Sequence, residues 1–301
     1  MSRNVQIGLD QELKCLILVG RFGWLRLQEI ALFLWFDKDR AHSYQYAQNL
    51  VKKLIDKDLV FIQKLPCHAG TAVVLKEKGA KIVRENGFPK VKRAILKIHS
   101  IMPMDGDDYD LETWIPPACW KHDLYSHGLC VLFANDENIH SRGYNPKFWT
   151  EVELRRLGGS SNRKLFNFLD EVRYPDLIVE GEIETLGFEI EKSRKNGELN
   201  TNNMILNLIQ TNKINGVAMH SFGGVQPDKI AFAINPDECE ITKSGKRKKI
   251  NHELNVISAA LAKMSQLGVN KIELIIFRMH IKNYGVVDYD VVRNVYTVPN
   301  V

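Results

Sequence analysis

Asp176, Glu189 and Glu191, within RYPDLIVEGEIETLGFEIEKSRK (residues 173–195), have the types and spacing to hold a divalent cation against a phosphodiester. Asp176 follows Pro175, while Glu189 and Glu191 alternate with Phe188 and Ile190 along an apolar run. Side chains two apart in a strand share a face, so the two glutamates point one way and Phe188 and Ile190 the other. The polar segment 181–184 between the apolar runs reads as a hairpin loop. A turn centred there pairs residue 180 with 185 and sets Asp176 opposite Glu189, with side chains about 5 Å apart. Like charges facing each other destabilise a sheet, and bound Mg²⁺ or Mn²⁺ with oxygen ligands removes the conflict. Lys192, Ser193, Arg194 and Lys195 follow directly, and a cation there orients a metal-bound water or offsets phosphorane charge. The catalytic candidates are therefore Asp176, Glu189, Glu191 and Lys195, and the metal candidates are the three acids. The same letters also fit an edge hairpin whose acids simply face water.

The elements around this hairpin order themselves as an α/β domain. Residues 94–121, with Met102-Pro103, an acidic turn and Pro116-Pro117, read as a connection. The periodicities then predict a helix over 122–133, a strand over 149–154, the hairpin, a helix over 199–210, strands over 216–220 and 229–234, a helix over 251–267 and a strand over 271–278. Such an order implies a mixed sheet flanked by helices. On the strand over 149–154, Glu151 or Glu153 could add a further carboxylate.

The first 93 residues read as a winged helix-turn-helix. Leu13, Leu16, Ile17 and Leu18 open one helix, and Leu27, Ile30, Ala31 and Leu34 space a second. A third runs over 41–56, with Tyr44, Ala47, Leu50, Val51 and Leu54 on one side. Its other side presents Ser43, Gln45, Gln48, Asn49, Lys52 and Lys53, side chains that reach base edges and phosphates from a major groove. Strands over 59–65 and 71–75 form the wing, and a closing helix starts near 75–81. Protein contact is the other common use of such a fold; charge favours DNA. Lys plus Arg total 41 against 36 Asp plus Glu, but residues 1–100 hold 18 basic and 9 acidic side chains, leaving 23 and 27 for the remainder. The excess is where a phosphate-binding module would carry it.

The remaining signals are weaker. Five cysteines without framework spacing, a polar Met1–Glu12 stretch and no apolar run of about 18 residues predict a cytoplasmic protein with reduced thiols and no membrane span. Cys119-x-x-His122 with His127-x-x-Cys130 has zinc-ligand types, but a helix rising about 1.5 Å per residue spreads them too far apart to converge. Gly158-Gly159-Ser160-Ser161 lacks the lysine and spacing of a P-loop. KSGKRKK (243–249) is a solvated basic loop or a nucleic-acid contact.

The hairpin Pro175-Asp176 … Glu189-Ile190-Glu191 within that element order resembles the PD-(D/E)XK nuclease superfamily. With the winged helix, the chain is similar to the plasmid replication-relaxation family. The segments carrying the likeness are 74–80 after the wing, His122-Asp123-Leu124, Glu151-Val152-Glu153-Leu154-Arg155, and Glu189-x-Glu191-x-x-x-Lys195. The resemblance implies a winged helix (1–93), a linker (94–121) and a PD-(D/E)XK nuclease-like domain (122–301). It matches Asp176 and Glu189 to the superfamily's two metal-binding acids, while the place of its catalytic lysine is taken by Glu191, with Lys195 as a migrated substitute. The implied function is that of a DNA-binding accessory protein of a plasmid or other mobile element, acting in replication, relaxation or transfer. Double-stranded DNA, other replication or transfer proteins and a second copy of the chain are its implied partners. A DNA-binding protein with a degenerate nuclease fold, and a restriction or defence endonuclease, are the alternatives.

Overall fold

The computed structural model describes residues 3–101, 109–135, 147–157, 159–161, 175–180, 184–191, 220–222, 227–241, 244–267 and 271–297. Its contacts divide the chain into two units, Met1–Trp120 and Lys121–Val301.

The first unit runs α1 (Arg3–Phe22), β1 (Leu25–Arg26), α2 (Leu27–Leu34), α3 (Arg40–Asp56), β2 (Val60–Lys64), a 3₁₀ turn (Pro66–His68), β3 (Thr71–Leu75) and α4 (Glu77–Glu85). The strands form an antiparallel sheet in the order β1-β3-β2. Helix α3 starts where Asp39 accepts hydrogen bonds from the backbone N–H groups of Ala41 and His42, both at 3.1 Å. Its apolar stripe of Ala47, Leu50, Val51 and Leu54 is buried, as the spacing predicts. At the β2–β3 turn Gly70 has φ +117°, a conformation that side chains resist. Strand β1 was not legible, being only two residues long. It is held by Arg26, which is 3 % exposed and donates to the Glu29 carboxylate and to the Ala69 carbonyl at 2.9 Å.

Residues 94–121, expected as a connection, contain an antiparallel hairpin of β4 (Leu96–Ile101) and β5 (Tyr109–Trp114). It belongs to the first unit: Trp114 packs on Trp24 at 5.7 Å between ring centroids, and its N–H donates to Gln63 Oε1 at 2.7 Å.

The second unit is α/β with a mixed central sheet. It opens with α5 (Trp120–Asn135), β6 (Lys147–Thr150), α6 (Glu151–Leu157), β7 (Gly159–Ser161), β8 (Leu177–Glu180) and β9 (Thr185–Glu191). There follow β10 (His220–Phe222), β11 (Lys229–Ile234), β12 (Cys239–Ile241), β13 (Arg247–Lys249), α7 (His252–Leu267), β14 (Lys271–Lys282) and β15 (Gly285–Thr297). Six strands lie in the order β15-β14-β11-β9-β8-β6. Strand β11 is parallel to both β9 and β14, and the other neighbours are antiparallel. The expected helix over 199–210 lies outside the described residues.

Both sheet faces are apolar because helices cover both. On one face Phe188 of β9 and Phe277 of β14 meet Phe133 of α5, with centroids 5.4 and 5.9 Å from it. On the other, Phe232, Ile234, Leu274 and Ile276 pack with Val256 and Ala260 of α7. Strands enclosed on both faces read as near-continuous apolar runs, as β11 and β14 do. Among the described residues no helix is long and apolar enough to cross a membrane. All five cysteines are free, and burial pushes the Cys15 thiol up to about 12.

Candidate functional site

Hairpin β8–β9 positions the acids. Its register pairs Leu177 with Phe188 and Glu180 with Thr185, as the turn position requires, so Asp176 faces Glu189 one step beyond the ladder. Asp176 N–H donates to the Phe188 carbonyl at 2.9 Å, and its own carbonyl accepts from Glu151 N–H at 3.1 Å. Past that pair, Ile190 N–H has no β8 carbonyl opposite and instead donates to Asp176 Oδ2 at 2.7 Å. The Asp176 carboxylate is thus locked by β9 itself.

His122, at the start of α5, is the second partner of that oxygen, with Nε2 3.0 Å from Oδ2. Burial, the largest influence, opposes charge on the ring; hydrogen bonds with Asp123 and Asp176 overcome it and raise the pKa to about 10. The ring is therefore an imidazolium at neutral pH and supplies a positive charge directly at Asp176. Nothing in the sequence points to this contact: His122 stood out within a zinc-like pattern and within the His122-Asp123-Leu124 segment of the resemblance, neither of which pairs it with Asp176.

Glu189 is 5 % exposed. It lies on the central strand β9, in register with Phe232 of β11, on the face that carries the α7-facing core. The edge-hairpin reading, with acids in water, therefore fails for Glu189. A carboxylate taken this far from water is expensive unless something compensates it, and Glu189 is not without a partner in the fold. Glu191 continues β9, its side chain lying outside the described residues together with Lys195.

Glu151 and Glu153 correct the expectation of a strand over 149–154. Strand β6 ends at Thr150 and α6 begins at Glu151. Thr150 and Glu153 form a reciprocal cap: Glu153 N–H donates to Thr150 Oγ1 at 3.2 Å, and Thr150 N–H donates to Glu153 Oε2 at 3.0 Å. The Thr-x-x-Glu signature was in the letters, masked by the alternation of Val152 and Leu154. Glu151 pairs with Arg155 one turn on. Both glutamates are thus engaged within α6. Among the described residues no group of three His, Cys, Asp or Glu side chains is placed to hold a metal ion. Asp176 and Glu189 stand opposite each other in the hairpin register, and Mg²⁺ ordinarily takes one or two carboxylates with water and phosphate in its other positions.

In the first unit α3 exposes Gln45, Gln48, Asn49, Lys52 and Lys53. The first four fall at helical neighbour spacing on one face. Neither Lys52 nor Lys53 has an ion-pair partner among the described residues. Ser43 is a correction. It is 1 % exposed, and its hydroxyl donates to the carbonyls of Trp35 at 2.7 Å and Asp39 at 3.0 Å. Those bonds close the α2–α3 turn, so Ser43 positions α3 rather than touching a ligand.

A cavity of about 550 Å³ opens at the carboxyl end of β11, beside the start of α7. Ligands favour that end of a parallel strand. Its charged lining is paired internally, however: Arg278 with Glu253 at 2.7 Å, Lys249 with Asp237 at 3.1 Å, and His252 with Glu238 at 3.2 Å. The β8–β9 acids are the stronger candidate. In comparison with known proteins, no family model, curated protein or solved structure matches the chain.

Proposed function

We propose that this chain is a DNA-binding accessory protein of a plasmid or other mobile element, with a winged helix in its first unit and a PD-(D/E)XK nuclease-like fold in its second. The observation that carries the reading is Asp176 set opposite a buried Glu189 on adjacent antiparallel strands. In support, the parallel strand β11 follows β9 in the order that the resemblance implies. The order α1-β1-α2-α3-β2-β3, with β1 paired to β3, supports a winged helix, and α3 offers amides and cations on its exposed side. Cytoplasmic location and duplex DNA as partner belong to the same proposal.

Asp176 and Glu189 would hold Mg²⁺ or Mn²⁺, which when bound activates water for phosphodiester hydrolysis. Ile190 N–H fixes the rotamer of Asp176, so the carboxylate need not reorganise on loading. His122 neutralises that carboxylate before any cation arrives and, released from it, is a proton donor within reach of the same oxygen. Glu191 and Lys195 complete the proposed catalytic set.

Two features favour a second reading, a non-catalytic DNA-binding protein. The His122 imidazolium already compensates Asp176, and Glu191 stands where the superfamily has its lysine.

Supercoiled plasmid incubated with the full chain and Mg²⁺ or Mn²⁺ separates the two. Cleavage that disappears in both Asp176→Asn and Glu189→Gln, with duplex binding kept, is the expected result. Uncut plasmid with wild-type protein that still binds duplex would establish the second reading instead.

A further inference from the structure

We propose that the β12–β13 ribbon of the second unit is a separate contact for the phosphate backbone of duplex DNA. The proposal rests on the DNA-binding reading above but concerns a surface that the winged helix does not include.

The ribbon pairs Cys239 with Lys249, Glu240 with Lys248 and Ile241 with Arg247. Residues 244–249 are all exposed. Gly245, at φ +78° and with open space where a Cβ would sit, forms the turn. At the base Ile250 is buried and its N–H donates to the Glu238 carbonyl at 2.9 Å. Lys249 is neutralised there by Asp237. Further out, Arg247 and Lys248 make no ion pair among the described residues.

An isolated two-stranded ribbon is marginally stable in water; here Glu240 stands opposite Lys248, while Arg247 and Lys249 stand opposite the uncharged Ile241 and Cys239. All three residues of β13 are exposed, so this strand adds almost nothing to the core. Its composition therefore answers to something outside the fold. Residues 244–249 are Ser-Gly-Lys-Arg-Lys-Lys, without one apolar or aromatic side chain. Protein interfaces need buried anchors of those types, which residues 244–249 do not supply. A polyanion needs only positive charge, and a two-stranded ribbon has the width of a major groove.

The test uses the full chain and a labelled DNA duplex, with affinity measured across a salt series. Three proteins are compared: wild type, Arg247→Gln/Lys248→Gln, and Lys52→Ala/Lys53→Ala. Loss of two phosphate contacts should shrink the log–log salt slope by about 1.8 and weaken binding roughly ten-fold or more at ~0.1 M salt. That result is expected for the ribbon variant, and Arg247→Lys/Lys248→Arg should restore wild-type behaviour. A ribbon variant with unchanged slope, beside a weakened Lys52→Ala/Lys53→Ala protein, would overturn the ribbon contact and leave the winged-helix reading standing. Absence of duplex binding by wild type would overturn both.

Discussion

At Asp176 one carboxylate serves structure and proposed chemistry through the same oxygen. Oδ2 satisfies Ile190 N–H and also faces His122. Ile190 is 2 % exposed, so removing the acceptor strands a buried N–H, at a cost of about 1–3 kcal/mol. Asp176→Ala should therefore be less stable than Asp176→Asn, which keeps an oxygen for Ile190, by about that amount in urea unfolding. Equal stability of the two variants would show that the Ile190 bond contributes nothing. The conservative change is for this reason the proper control in a cleavage assay. Ser43 makes a complementary case. Ser43→Ala removes the hydroxyl bonds to the Trp35 and Asp39 carbonyls, which keep the Lys38 and Ser43 backbone N–H donors, and should lower stability by about 1 kcal/mol, with duplex affinity unchanged in the folded protein. A selective loss of affinity would restore Ser43 to the DNA-facing set.

Among the elements, the β8–β9 hairpin is tied to the sheet by charges at its turn as well as by its ladder. Glu184 meets Lys229 of β11 at 3.1 Å and also Arg293 of β15, while Lys229 reaches Glu273 of β14 at 2.7 Å. Burial, the largest influence on Glu184, raises its pKa, but Arg293 and Lys229 together hold it below the ordinary carboxylate range. A group whose pKa is lower in the folded state stabilises the fold above its unfolded value. That stabilisation disappears as pH falls through the folded value. Glu184→Gln should thus flatten the loss of stability on acidification below about pH 4.5, measured by chemical unfolding across pH. An identical pH profile would mean that the network is too well solvated to matter. The α6 region shows how a short element escapes periodicity. Residues 149–154 alternate like a strand, yet the Thr150–Glu153 cap starts a helix, because a reciprocal side-chain cap satisfies N–H groups that a strand would leave to its neighbours.

For the whole molecule, the central sheet is the frame that sets Asp176 and Glu189 together, and its aromatic layer is where damage should be greatest. Phe188 is fully buried between Phe133 and Phe277 on the strand that carries Glu189. Phe188→Ala should cost about 3–5 kcal/mol, seen as a lowered urea midpoint. A cost below about 1 kcal/mol would mean that the layer collapses to fill the gap. Much of this frame was legible in the letters. The turn at 181–184 set the hairpin register and so the Asp176–Glu189 opposition, and helical spacing set the buried and exposed sides of α3 apart from Ser43. Those features depend on neighbours two to four residues away, where the backbone repeat alone decides which way a side chain points. The tertiary structure decided what depends on distant segments. It brought His122 to Asp176, buried Glu189 between β8 and β11, turned Ser43 inward and made a hairpin of the segment read as a linker. Burial and ion pairing are properties of surfaces that meet only after the chain has folded, and no local period encodes them.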